Sequence, residues 1–175
     1  MSIKELLLVI VGAALANNLL LSGYFGFDSS VLGKNKSCYA QTVAVLLVVC
    51  TVLCRLLHGV LDGMGLLYLE TILFAIVILL CSMLPGLVLG KEKAPSYAML
   101  VLNTALLGAA FNSSMLSLAE TICYALGTAL GFWGLLVVFD SLCLKLNNPH
   151  VPKALRGMPI TVLAAGIISM AIYAF

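Results

Sequence analysis

Six apolar stretches divide the chain, at about Leu6–Phe27, Tyr39–Leu57, Met64–Leu89, Tyr97–Phe111, Met115–Leu144 and Met158–Phe175. A helix needs roughly 20 residues to cross about 30 Å of hydrocarbon, and most of these stretches reach that length. The fourth is short. Hydrophobic residues make up 63% of the 175 and charged ones 9%, against about 45–50% and 25% in a typical soluble domain. A chain of this kind takes lipid as its solvent. The pattern excludes a disordered protein, a disulfide scaffold and nearly every soluble enzyme class. The net charge of +2 gives no electrostatic basis for binding nucleic acid. The six cysteines sit inside or beside the apolar runs, without tight metal-ligand spacing, and read as small hydrophobes. The expected fold is an all-α membrane protein, a single membrane domain over residues 1–175 with six transmembrane helices.

Basic residues set the orientation, because positively charged loops stay in the cytoplasm. Six spans place Lys4 and Arg55 on one side. Lys34, Lys36, Lys91, Lys93, Lys145, Lys153 and Arg156 fall on the other. Both termini are therefore expected outside a cytoplasmic (inner) membrane, with the three basic connections inside. Lys4, the apolar run after it and Ala14-Leu15-Ala16 also match the layout of a cleaved signal peptide. Glu5 argues against cleavage, and so does a repeat that uses residues on both sides of the supposed cut.

That repeat relates residues of approximately 1–88 to those of 89–175. Asn18 and Gly23 match Asn103 and Gly108. FDSSVL at Phe27–Leu32 matches FNSSML at Phe111–Leu116, and Cys38-Tyr39-Ala40 matches Cys123-Tyr124-Ala125. Each half holds three spans, so the second half enters the membrane from the opposite side. The expectation is an inverted repeat of three plus three, with its site near the midplane between the halves.

Short or interrupted spans at equivalent places point to such a site. Span one is interrupted by Asn17-Asn18 and then Gly23 and Gly26. Span four carries Asn103-Thr104 and Gly108. Asparagine in lipid costs several kcal/mol unless it finds partners. An unwound backbone offers them. The plainer account is that these residues hold helices together. Their recurrence in both halves favours broken helices one and four, with a polar midplane site made by Asn17, Asn18, Asn103 and Thr104. Among the charges, Glu120 and Asp140 are twenty residues apart on span five, about 30 Å along a helix, and so read as interfacial. Glu70 is expected within reach of Arg55. Asp28 directly follows the first interruption and is a candidate for a re-entrant pocket. His58 and His150 are expected in connections. Cys50 and Cys54 share a helix face, but two thiols do not make a cluster site. No nucleotide-binding loop, catalytic triad or HExxH is present.

Several longer motifs are similar to a known family. They are Asn17-Asn18 followed by Gly26, LLYLETILFAIVI at Leu66–Ile78, LNTALLG at Leu102–Gly108, YALGTALGF at Tyr124–Phe132 and VPKALRGMPITVLAAGIISMA at Val151–Ala171. On these the chain resembles the RnfA/RnfE–NqrD/NqrE family, integral membrane subunits of Rnf and Nqr respiratory complexes, and is most like the RnfA/NqrE side. The resemblance spans nearly the whole chain. It implies six helices in an inverted repeat and a partner, either a paired membrane subunit of the same family or a second copy. Flavin and iron–sulfur subunits complete the implied complex. It also implies a [2Fe–2S] cluster held by four thiolates, two from each member of the pair. The sequence departs from the family there: the two cysteine positions are Asp28 and Thr104, which are not expected to be ligands. No cofactor is expected from this chain alone, and a cluster shared with the partner rests on the resemblance.

Two functions follow. One is a membrane subunit, not catalytic alone, of a redox-driven Na⁺- or H⁺-translocating electron-transport complex. The other is a cluster-free paralogue that moves or binds a small solute or ion at the polar centre.

Overall fold

The computed structural model describes residues 3–19, 36–90, 95–146, 152 and 158–173. Helix is the regular structure throughout, with no strand among the described residues. Helix α1 covers Ile3–Val11 and runs into a π-helical turn, Gly12–Ala16. Helix α2 is Lys36–Met64, and a short 3₁₀ turn, Leu67–Leu69, leads into α3, Glu70–Val88. Two shorter helices follow, α4 at Tyr97–Val101 and α5 at Thr104–Ser113. Helix α6 is Leu118–Leu146 and α7 is Met158–Tyr173.

Among the described residues, three helical segments are long and apolar enough to cross a membrane: Cys38–Met64, Leu67–Val88 and Leu118–Phe139. What makes them membrane helices is that they are apolar on every side. On α2 the buried stripe is Ala40, Val43, Leu47, Cys50, Cys54 and Leu61, at spacings of three, four and seven. Its other face exposes Val45, Val49, Leu53, Leu56 and Val60. Helix α6 repeats the arrangement, with Ala125, Ala129, Phe132 and Leu136 inside and Ile122, Leu126, Leu130 and Val137 outside. Buried polar side chains run the other way: Asn18, Thr51, Asn103, Thr121 and Thr128 are almost fully enclosed. Apolar outside and selected polar groups inside is the arrangement a lipid solvent favours, because only protein can pair a polar group there.

Among the described elements α2 and α6 make the most extensive contact, and α5 packs against α2, α3 and α6. Small side chains let α5 sit that deep. Its buried residues include Ala105, Gly108, Ala109 and Ala110. Helix α1 and its π turn lie on α6.

The helix ends follow from local chemistry. Gly65 takes φ +69°, a conformation that costs glycine little. The Leu66 N–H then reaches the Leu61 carbonyl at 3.0 Å and the Gly65 N–H reaches the Asp62 carbonyl at 3.1 Å. Together these close the end of α2 as a Schellman motif. Helix α6 starts with a capping box. The Ser117 N–H donates to Glu120 Oε2 at 2.8 Å, and the Glu120 N–H donates to Ser117 Oγ at 3.4 Å.

Two expectations are corrected here. His58 lies inside α2, not in a connection. Glu70 pairs with His58, not Arg55: His58 Nδ1 donates to Glu70 Oε1 at 2.9 Å, with both side chains 17% exposed. Arg55 instead donates from Nε to the Leu116 carbonyl in the α5–α6 turn. Helix geometry explains the swap. His58 lies three residues beyond Arg55, so it is nearly a full turn closer to the α2 end, where α3 begins.

Candidate functional site

Asn103 and Asn18 are both buried. Asn103 stands between α4 and α5 with extended backbone. Its Oδ1 accepts the Ala105 N–H at 2.9 Å, which satisfies one of the unpaired amides at the start of α5. Its Nδ2 donates to the Tyr39 phenol oxygen, also at 2.9 Å. One side chain thus starts α5 and ties it to α2.

Asn18 follows the π turn. Its Nδ2 donates to the Ala14 carbonyl at 2.7 Å. The space beside it exists because α6 carries glycine there. A Cβ on Gly131 would stand 2.5 Å from the Ala14 carbonyl oxygen and 2.8 Å from the Ala14 Cα, and would also strike the Asn18 amide. A Cβ on Gly127 would stand 2.5 Å from the Ile10 carbonyl oxygen. These glycines are four residues apart, so they share one face of α6 and let α1 approach at backbone distance.

Asn17 caps the π turn, its N–H reaching the Gly12 carbonyl at 2.7 Å, and its side chain is exposed. Thr104, the first residue of α5, is exposed as well. Asp28 lies outside the described residues. The four candidate polar residues thus separate by environment. Asn18 and Asn103 are enclosed and hydrogen-bonded to different neighbours, while Asn17 and Thr104 face outward.

Sequence reasoning missed Tyr39, Tyr124 and Asn112 as site residues. Asn112 Nδ2 donates to the Tyr124 phenol oxygen at 3.3 Å. The signal was there, since both tyrosines sit in the repeated Cys-Tyr-Ala and Asn112 in FNSSML.

The implied [2Fe–2S] cluster can be tested against these residues. Such clusters are held by thiolate, with histidine replacing some ligands in certain centres. At the two positions that the resemblance assigns to cluster ligands stand Thr104 and Asp28, and a hydroxyl and a carboxylate do not match that thiolate donor set. The thiols that the structure gathers are elsewhere. Cys50 and Cys54 on α2 and Cys81 on α3 are buried, Cys50 and Cys81 within the same apolar core. Among the described residues no three His, Cys, Asp or Glu side chains are grouped to hold a metal ion.

No family profile matches the chain. Individual relatives match it from end to end. The A component of the Na(+)-translocating ferredoxin:NAD(+) oxidoreductase complex of Acetobacterium woodii is 30% identical, over 97% of this chain and 96% of its own length. The A component of the ion-translocating oxidoreductase complex of Syntrophotalea carbinolica is 31% identical over 98% and 96%. That of Aeromonas hydrophila is 29% identical over the same shares. With identity of this level running the full length of both chains, on an all-helical apolar scaffold, the protein belongs to the RnfA family of ion-translocating oxidoreductase complexes.

Proposed function

We propose that this chain is the RnfA-type membrane component of a redox-driven, ion-translocating electron-transport complex, and that it acts only within that assembly. The observation that carries this reading is the end-to-end match to the A components of such complexes. In this reading α4 and α5 are two halves of one span, parted at Asn103. The π turn and Asn17-Asn18 are the equivalent interruption of span one, and the halves form an inverted repeat. The chain sits in the inner membrane with both termini outside and faces a paired membrane subunit. Flavin and iron–sulfur subunits supply and remove electrons. Its own residues brace the interrupted helices and bind no cluster at Asp28 and Thr104.

Purification of the tagged chain from its native membranes tests the assembly. The expected result is recovery with redox-carrying partners and a second membrane subunit. Recovery alone, across mild detergents and after crosslinking in the membrane, would refute it.

The donor set at positions 28 and 104 favours a second reading, a cluster-free paralogue that handles a solute or ion. Both readings leave the unmodified chain without a cluster, so redox-carrying partners recovered with it separate the two, and iron and acid-labile sulfide report on a restored site. Asp28→Cys combined with Thr104→Cys should raise both in the presence of the partner if the scaffold is that of an electron-transfer subunit. Stoichiometric iron in the unmodified protein, lost on Asp28→Ala, would show that aspartate serves as a ligand here.

A further inference from the structure

A notch of about 420 Å³ opens between the end of α3 and the start of α4. Among the described residues, Met83, Gly86 and Leu87 wall it on the α3 side and Pro95 and Tyr97 on the α4 side. It exists because α4 starts well back along α3. Tyr97, the first residue of α4, donates from its phenol to the Leu79 carbonyl at 3.4 Å. Leu79 lies nine residues before the end of α3 at Val88, about 14 Å by helical rise. The last turns of α3 therefore run on past the start of α4. Leu87 and Val88 there are 80% and 81% exposed. A Cβ on Gly86 would meet nothing within 4 Å.

The walls call for an apolar occupant. Ser82, which also lines the notch, donates from Oγ to the Ile78 carbonyl at 2.7 Å, and Tyr97 donates to Leu79. Both hydroxyls are thus paired within the protein. Met83, Leu87, Pro95 and the bare surface of Gly86 make up the rest. A helix about 10 Å across takes up roughly 850 Å³ over two turns, about twice the notch, so a span of another subunit is too large for it. A single acyl chain is thinner and flexible enough to follow its shape.

The mouth selects the lipid. The connection that follows α3 reads Lys91-Glu92-Lys93-Ala94 and ends at Pro95. It carries two positive charges against one negative, and no lysine is more than two residues along the chain from Gly90 or Pro95. Basic groups beside helix ends at a membrane surface attract anionic headgroups. Ser96 is exposed and its hydroxyl makes no capping bond at the start of α4. An apolar notch and a basic connection at the same end of α3 match the two parts of one molecule.

We propose that the notch holds one acyl chain of an anionic phospholipid, with its headgroup drawn to Lys91 and Lys93. The inference rests on these walls and charges and not on the subunit reading.

The experiment is native mass spectrometry of the purified, delipidated full-length protein, titrated with phosphatidylglycerol or with phosphatidylcholine of the same chains. Saturable retention of one phosphatidylglycerol is expected, with phosphatidylcholine held at least fivefold more weakly. Gly86→Phe fills the notch and should lower phosphatidylglycerol retention at least fivefold. Gly63→Phe, at another glycine with nothing within 4 Å of its Cβ position, should leave it unchanged. If Gly86→Phe does not fold, Met83→Trp narrows the same notch and decides. Lys91→Gln combined with Lys93→Gln should abolish the preference between the two lipids. Equal retention of both lipids by the unmodified protein, or a preference that survives loss of both lysines, overturns the headgroup assignment and the proposal with it. Retention unaltered by the filled notch overturns the site. The readout is lipid mass on this chain, so failure here leaves the subunit reading standing, and absence of partners leaves this inference standing.

Discussion

Asn103 uses its oxygen on the start of α5 and its nitrogen on Tyr39, so its two functions can be separated by substitution. Asn103→Ser keeps a capping oxygen without adding a charge and loses the donation to Tyr39. Asn103→Ala loses both, at about 0.5–2 kcal/mol for the cap alone. Thermal unfolding in detergent should rank the proteins wild type, then Ser, then Ala. An Ala variant as stable as wild type would mean that the cap contributes nothing. The asparagines were legible in the sequence because amides are rare in apolar runs. Their partners were not. Tyr39 is 64 residues from Asn103 and meets it only through packing of α2 on α5. Likewise, nothing in the local pattern says that Glu70 takes His58 while Arg55 takes a backbone carbonyl.

Elements were easier to read than their ends. The long apolar runs of α2, α3 and α6 announce themselves by length. The expected end of span two, Leu57, fell short because His58 and Asp62 look like loop residues. The helix continues to Met64 because its stop is Gly65, not the first polar side chain. Gly65→Ala should cost about 1 kcal/mol, since alanine lacks glycine's ease at positive φ. A matching drop in the melting temperature checks it. The close approach of α1 to α6 gives a sharper prediction. Gly131→Ala places a methyl group against the Ala14 backbone, which cannot yield as a flexible side chain would. Forcing an extra methyl into such a contact costs roughly 1–3 kcal/mol. Gly134→Ala on the same helix meets nothing within 4 Å and should be neutral or slightly stabilising. Equal melting temperatures for the two variants would show that α1 can shift away freely. The GTALG spacing at Gly127–Gly131 was the available sign of this contact.

At the scale of the molecule, the outward faces of α2, α3 and α6 give a largely apolar outer surface. Leu80, Leu87 and Leu130 are all more than half exposed. A bilayer covers such a surface. Which way the chain sits in it is set by the basic residues. The side expected to face outward has only Lys4 and Arg55. Arg55 weighs less than its charge suggests. It is partly buried on α2 and donates to the Leu116 carbonyl, so it is an internal strut more than a free loop cation. The bias toward basic connections inside is thus stronger than the bare tally, and the expected orientation keeps both termini outside. A C-terminal alkaline phosphatase fusion should be active and a C-terminal green fluorescent protein fusion dark, since the first folds only outside and the second only in the cytoplasm. The reverse pattern would invert the chain. It would put His58 and Glu70 at the cytoplasmic end of α2 and α3, and the basic connections on the face where positive charge is disfavoured.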